Sequence, residues 1–333
     1  MLSLYGYFYT IMRTIFITGG AGFIGVNFIR HWRKKYPEDS IVNFDALTYA
    51  GCRESLEDLE AQPGYSFVQG DITDRPLLES IFGGLPVPDL IVHFAAESHV
   101  DRSIQDPSLF VKTNVLGTQV LLDIALEHGK IRFHHVSTDE VFGSLGPADA
   151  PFTETTPYAP RSPYSASKAA SDHLVRAYHE TYGLPVTISN CSNNYGPYQF
   201  PEKLIALAIT NLIQGKKVPV YGDGKNIRDW LSVEDHCSAL EKVILEGKIG
   251  ETYCIGGEAE RTNLDVVQTI LAALGKGDEM IEFVPDRAGH DFRYAMNIGK
   301  IRSELGWSPE VGFEEGIRRT IQWYKDNGEW WKA

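Results

Sequence analysis

Residues 14–25 read Thr14-Ile15-Phe16-Ile17-Thr18-Gly19-Gly20-Ala21-Gly22-Phe23-Ile24-Gly25, an apolar run that ends in glycines. Ile15, Phe16 and Ile17 are continuous rather than alternating, as expected of a strand covered on both faces. The G-x-G-x-x-G spacing at Gly20, Gly22 and Gly25 permits a tight turn and a close backbone approach to a pyrophosphate. The helix predicted next, Phe23 to Tyr36, would point free N–H groups and a positive dipole end at that anion. Strand, turn and helix in this order turn a weak glycine pattern into a specific one.

Working outward, Asp45 lies 20 residues beyond Gly25, after a strand-like run from Ile41 to Phe44. A carboxylate there accepts the ribose hydroxyls of a dinucleotide and repels a 2′-phosphate, which favours NAD over NADP. Asp71 follows the strand-like Ser66–Val68 and suits either an adenine contact or a helix N-cap. Leu90–Phe94 and Ile131–Val136 are further buried-strand runs. Asp106-Pro107 and Ser162-Pro163 read as N-cap and first residue of two long helices, ending before Gly129 and at Gly183. This alternation predicts an α/β chain with a Rossmann-type doubly wound parallel sheet.

Beyond about residue 190, loops rich in Pro, Gly, Tyr and Asn separate helices expected at Glu202–Gln214, Val233–Glu246, Leu264–Leu274 and Phe313–Lys325. The expectation is a dinucleotide-binding domain over 13–190, to which later segments return. Residues 191–333 then form mainly a smaller, interleaved α/β domain for the substrate.

Composition narrows the partners. Among 333 residues, 43% are hydrophobic and 23% charged, and the formal net charge is −13. So acidic a chain is not expected to bind nucleic acid. No uninterrupted apolar run reaches the roughly 18 residues of a membrane span, so no membrane partner is expected. The four cysteines, Cys52, Cys191, Cys237 and Cys254, lack zinc or redox spacing; they read as neutral thiols in a reducing, cytoplasmic compartment, with no metal site. Met1 to Ile11 carry no charge and read as an appended tail ahead of Met12-Arg13.

Tyr164 and Lys168 have Y-x-x-x-K spacing, one turn apart on a helix face. An ammonium beside a phenol is expected to lower its pKa from about 10, making a base for a sugar hydroxyl.

With these motifs in place, the chain resembles dTDP-glucose 4,6-dehydratases, extended short-chain dehydrogenases/reductases, over roughly residues 13–325. Further stretches carry the likeness: Asp45–Gly51, Ala95–Ser103, Ser137–Val141, Cys191–Leu204, Pro219–Gly224, Arg228–Trp230 and Asp286–Asp291. The resemblance implies that Tyr164, helped by Lys168 and Thr138, deprotonates the sugar 4-hydroxyl while NAD accepts hydride from carbon 4. Glu140 then removes the carbon 5 proton, Asp139 protonates the departing 6-hydroxyl, and hydride returns to carbon 6. Adjacent acids in a dry cleft split their pKa values, as this division needs. Neighbours on a strand face opposite ways, so the chain must leave the extended conformation at Asp139.

The resemblance also implies NAD contacts from Gly19, Gly22, Phe23, Ile24, Gly25, Asp45, Leu47, Thr48, Asp71, Ile72, Ala95, Ala96, Ser98, Thr113, Tyr164, Lys168 and Asn194. It implies sugar-nucleotide contacts from Ser98, Thr138, Asn193, Glu202, Lys203, Leu204, Pro219, Tyr221, Arg228, Asn263, Arg287, His290 and Tyr294. Arg228 and Arg287 suit bidentate diphosphate binding, or surface ion pairs. His290 equally suits a plain loop position, and Asn263 the N-cap of a helix from Leu264. Phe142, Asn190, Cys52, Ala288, Phe292 and Asn297 depart from the family pattern. A homodimer through helices 106–128 and 162–182, both with wide apolar stripes, is implied by the resemblance alone. The rival readings are an NDP-sugar 4-epimerase or decarboxylase, and a nucleotide sensor without catalysis, for which Tyr164→Phe would have no activity to remove.

Overall fold

The computed structural model describes residues 12–84 and 86–332; the tail read at residues 1–11 lies outside the described residues. Strand β1 (Thr14–Thr18) is an inner strand of a seven-stranded sheet. Ile15 and Ile17 enter a core with Trp32 and Leu231, whereas Phe16 enters another with Phe82 and Leu121. All three are fully buried. The continuous apolar run therefore reflects a strand with both faces covered.

The other strands of this sheet are β2 (Ser40–Asp45), β3 (Tyr65–Gln69), β4 (Leu90–His93), β5 (Arg132–Thr138), β6 (Val186–Cys191) and β10 (Thr252–Ile255). Their order is β3-β2-β1-β4-β5-β6-β10, and every neighbouring pair is parallel. Winding reverses between β1 and β4, which opens a crevice beyond their carboxyl ends.

The helix punctuation read from sequence is present. Phe23–Lys35 follows the glycine turn. Pro163–Tyr182 starts with a reciprocal Ser162–Ser165 capping box and ends at Gly183, whose φ of +65° closes it left-handed. The helix expected from Asp106 starts with Asp106 accepting from the Leu109 amide, but Val111–Gly117 is π-helical before Thr118–Glu127. By length and composition alone Pro107–Glu127 is long and apolar enough to cross a membrane; half of its most apolar window is buried inside the fold.

In the second half, β7 (Asn193–Tyr195), β9 (Ile227–Ser232) and β11 (Glu260–Thr262) form a small sheet, and β8 (Val218–Tyr221) pairs with β12 (Ile281–Val284). Helices Leu204–Ile213, Asn263–Ala273 and Phe313–Asp326 enclose a core containing Tyr195, Ile209, Val267 and Tyr324. Helix Val233–Glu246 instead packs on Phe23–Lys35, through Val233, Leu240 and Trp32. Two starts differ from expectation. The first of these helices starts at Leu204, after Lys203 as N-cap, and not at Glu202. Thr262, with Asp265, caps the second, so Asn263 is its first residue and not its N-cap.

Candidate functional site

The crevice beyond β1 and β4 is a cavity of about 660 Å³. Its floor is the glycine turn. Gly19 has a φ of +72°, and a Cβ there would meet the Ala95 amide at 2.5 Å. A Cβ on Gly25 would meet the Gly19 carbonyl oxygen at 2.3 Å. These glycines let the turn nest between β4 and the helix. Phe23 and Ile24, at the first turn of that helix, have amides without intrahelical acceptors. Asp45 is held at the rim, accepting from the Ala21 amide at 2.9 Å and the Leu47 amide at 2.8 Å. Burial raises its pKa, and those two amides oppose the shift.

The chemistry-bearing segment is the end of β5. Extended structure stops at Thr138, and Asp139–Phe142 forms a 3₁₀ turn. The Thr138 hydroxyl accepts from the Glu140 amide and donates to Asp139, both at 3.2 Å. This turn meets the geometric condition set by the sequence, since Thr138, Asp139 and Glu140 all line the cavity with Tyr164 and Lys168.

The two carboxyls are electrostatically unlike. Burial, reinforced by the charge of Glu140, pushes Asp139 well above the usual carboxylate range. Burial also raises Glu140, but Lys203, Arg287 and Arg228 draw it back. The surroundings thus favour the proton on Asp139 over one on Glu140.

Tyr164 departs from expectation. Burial and the Glu140 charge hold its phenol well above the usual value. Lys168 donates instead to the Val136 carbonyl at 2.9 Å and approaches His135 Nε2 at 3.5 Å. In this closed surround the cost of desolvating a phenolate exceeds the help the ammonium gives.

The opposite wall comes from the second half. Arg228 is 5% exposed, donates to the carbonyls of Ile227 and Asp291, and lies 4.2 Å from the centre of the Tyr294 ring. Its hydrogen bonds go to backbone carbonyls, so its charge is open to an anion. Arg287 stands 3.7 Å from Asp101, whose other oxygen accepts from Tyr221 at 3.2 Å. Lys203 donates to the Ser98 carbonyl at 2.9 Å, and Tyr49 donates to Glu202 at 3.0 Å. His290 pairs with Asp286 at 2.6 Å rather than with its neighbour Asp291. Asp71 accepts from the amide and hydroxyl of Thr73, closing a turn, while still lining the cavity.

Of the site residues singled out from sequence, all but Gly20 and Leu47 line this one cavity. Leu47 contributes its amide to Asp45 from a left-handed φ of +50°. The sequence reading passed over Glu97, His99, Asp101, Ser137, Gln199 and Trp230, which also line it. The first three lie inside Ala95–Ser103, so the signal was present. Ser137, Gln199 and Trp230 likewise lie inside the quoted stretches Ser137–Val141, Cys191–Leu204 and Arg228–Trp230.

The cavity fits a dinucleotide and a sugar nucleotide. Its walls hold buried polar atoms without protein partners, among them Glu97 Oε2, Ser192 Oγ, Asn193 Oδ1, Asn194 Oδ1 and Asp139 Oδ2. Such groups are costly to bury unless a ligand or water pairs them. The free first-turn amides suit a pyrophosphate and Asp45 suits a ribose.

Two departures from the family pattern acquire reasons. Phe142 stacks on Phe152 at 5.1 Å and meets Tyr158 edge-on in a closed apolar cluster, with no place for a hydroxyl to be needed. Asn190 donates to the Thr138 carbonyl at 3.1 Å and to Asp172 at 3.2 Å.

A parallel sheet with a glycine-floored switch point, crossed by a helix bearing Tyr164 and Lys168, defines an extended short-chain dehydrogenase/reductase. The profile of the family described as GDP-mannose 4,6 dehydratase matches residues 16–320. The chain is 54% identical to a dTDP-glucose 4,6-dehydratase of Neisseria meningitidis serogroup B, with 96% of each covered. Its fold is similar to the Streptomyces venezuelae dTDP-glucose 4,6-dehydratase solved with NAD and TYD bound (TM-score 0.92, 49% identity, 96% and 99% covered). It is also similar to the Bacillus anthracis dTDP-glucose 4,6-dehydratase in complex with NAD (TM-score 0.89, 50% identity, 96% and 99% covered). The chain belongs to the dTDP-glucose 4,6-dehydratase family.

Proposed function

We propose that this chain is an NAD-dependent hydro-lyase that converts dTDP-glucose to dTDP-4-keto-6-deoxyglucose. The observation that carries the reading is the pair Asp139 and Glu140 in one cavity with Tyr164, with basic groups beside Glu140 that make it the weaker proton holder of the two. Oxidation alone needs only Tyr164 and Lys168; elimination of water needs an acid and a base as well.

NAD, held by the glycine turn and Asp45, supplies a hydride acceptor for carbon 4 and a donor for carbon 6. Tyr164 takes the 4-hydroxyl proton, with Thr138 sharing the hydrogen bond and Lys168 supplying positive charge. The 4-ketone acidifies the carbon 5 hydrogen; Glu140 removes it as a proton and returns a proton to carbon 5 when hydride reaches carbon 6. Asp139 gives its proton to the leaving 6-hydroxyl. Arg228 and Arg287 hold the diphosphate, while Glu202, Lys203 and Asn193 fix the sugar and its nucleotide.

The division of labour follows the chain, with residues 13–190 mainly for the dinucleotide and 191–333 mainly for the sugar nucleotide. β10 and the helix Val233–Glu246 return from the second part to the first. We further propose a cytoplasmic homodimer. Val111 and Leu116 stand exposed on helix 107–127, on the face expected to meet a second copy.

Incubation with dTDP-glucose and, separately, UDP-glucose tests the reaction. A product absorbing strongly in alkali, formed preferentially from dTDP-glucose, supports the reading. An epimerised sugar with no such absorbance contradicts it.

A further inference from the structure

Helix Pro163–Tyr182 carries a third ionisable group in register with the catalytic pair. Tyr164, Lys168 and Asp172 are four residues apart and share one face. Asp172 is fully buried. One of its oxygens lies 3.1 Å from His135 Nε2, and the other accepts from Tyr158 at 2.7 Å and Asn190 at 3.2 Å. His135, on β5 and also fully buried, has the same Nε2 3.5 Å from the Lys168 ammonium.

A buried charge needs a counter-charge. Lys168 is 4% exposed, and its hydrogen-bond contacts are neutral groups, the Val136 carbonyl and the His135 ring. The Asp172 carboxylate, which meets the same ring nitrogen, balances it. The groups facing Lys168 are Tyr164 and Asp172 on its own helix, His135 from β5, Cys191 from β6 and, behind His135, His93 from β4. Burial and Lys168 lower His135 to about 4, so the ring is neutral near pH 7. Burial raises Asp172, but the hydrogen bond from His135 and the charge of Lys168 outweigh it and bring the carboxyl down to about 2. His135 Nδ1 is buried without a partner. A bare lone pair there costs less than an orphan N–H, which places the proton on Nε2, toward Asp172.

We infer that Asp172, acting through His135, is a positioning residue for the oxidation step: it is the counter-ion that keeps Lys168 charged and in place beside Tyr164. Asn190 ties the same carboxylate to the carbonyl of Thr138, so one anion braces both the Tyr–Lys helix and the turn that carries Asp139 and Glu140. The inference rests on the function proposed above.

The test is Asp172→Asn, which keeps the shape and removes the charge. The Lys168 Nζ resonance is followed against pH in ¹⁵N-lysine-labelled protein without ligands, and assigned by its loss in Lys168→Met. The ammonium is expected to lose its proton about 1–3 pH units lower, the usual effect of losing a nearby counter-charge. The alkaline limb of kcat should move down by the same amount, with little change in the KM for the sugar nucleotide. An unchanged Lys168 titration together with an unchanged limb overturns the inference. If Asp172→Asn does not fold, His135 carries the test. His135→Gln can still bridge Lys168 to Asp172 and should keep the wild-type titration, whereas His135→Leu should lower it; identical titrations in the two overturn the inference. Wild-type turnover of dTDP-glucose is measured alongside. An inactive wild type counts against the proposed function, while an active one with an unmoved Lys168 counts against Asp172 alone.

Discussion

Replacing Asp139 by Asn separates what the proposed acid does for the reaction from what it does to the fold. The amide matches the protonated acid in shape, but cannot give a proton to the leaving 6-hydroxyl. General-acid assistance contributes on the order of 10²–10⁴-fold, so kcat should fall by about that factor. Transient reduction of the nicotinamide should persist. Stability should move the other way. The folded-state pKa of Asp139 is raised, chiefly by burial and then by Glu140. In the unfolded chain the group ionises at about pH 3.9. Above that pH the unfolded state releases a proton that the folded state keeps, so wild-type folding weakens as pH rises. The penalty grows by about 1.4 kcal/mol per pH unit while the buried carboxyl stays protonated. Asn carries no such penalty. In denaturant unfolding the variant should therefore be the more stable protein at neutral pH, and its advantage should vanish as pH falls to about 4. An equal or lower stability at pH 7, or an advantage that does not depend on pH, would refute the buried, protonated acid. Retained kcat would refute its role in elimination.

Three further outcomes follow from the same geometry. Glu140→Gln should still give transient nicotinamide absorbance at 340 nm but less than about one hundredth of the product; absence of that absorbance would mean that Glu140 serves the oxidation instead. Arg228→Met should raise the KM for dTDP-glucose about 10- to 100-fold, the loss of a charge-assisted phosphate contact of roughly 1.5–3 kcal/mol, with a much smaller change in kcat; an unchanged KM would remove Arg228 from the diphosphate site. Asp45→Asn should weaken NAD binding by about tenfold or more and narrow any preference for NAD over NADP, measured by calorimetry. Equal affinities in wild type and variant would place the ribose elsewhere.

The main sheet was legible because its strands are buried on both faces, so hydrophobicity alone marks Thr14–Thr18, Ser40–Asp45 and Leu90–His93. Caps were legible because Ser162-Pro163 and Gly183 act locally. The small strands of the second half were not. β8, β11 and β12 have 4, 3 and 4 residues and partly exposed sides, too short for a periodic signal. The π-helical turn at Val111–Gly117 also left no mark in the sequence. Within the site, the 3₁₀ turn at Asp139 was demanded by chemistry before it was seen. The raised pKa of Tyr164 was not foreseen, since the Y-x-x-x-K spacing gives the partner but not the desolvation. The structural use of Asn190, noticed only as a departure, depended on Asp172, which is distant in sequence and gave no motif of its own.

The central claim is that one cavity oxidises carbon 4, expels water across carbons 5 and 6, and returns the same hydride to carbon 6. Incubating the protein with dTDP-glucose deuterated at carbon 4 and locating the label in the product by NMR tests this directly. The account predicts deuterium in the carbon 6 methyl group, with no loss to solvent. Label retained at carbon 4, or washed out of the product, would contradict it.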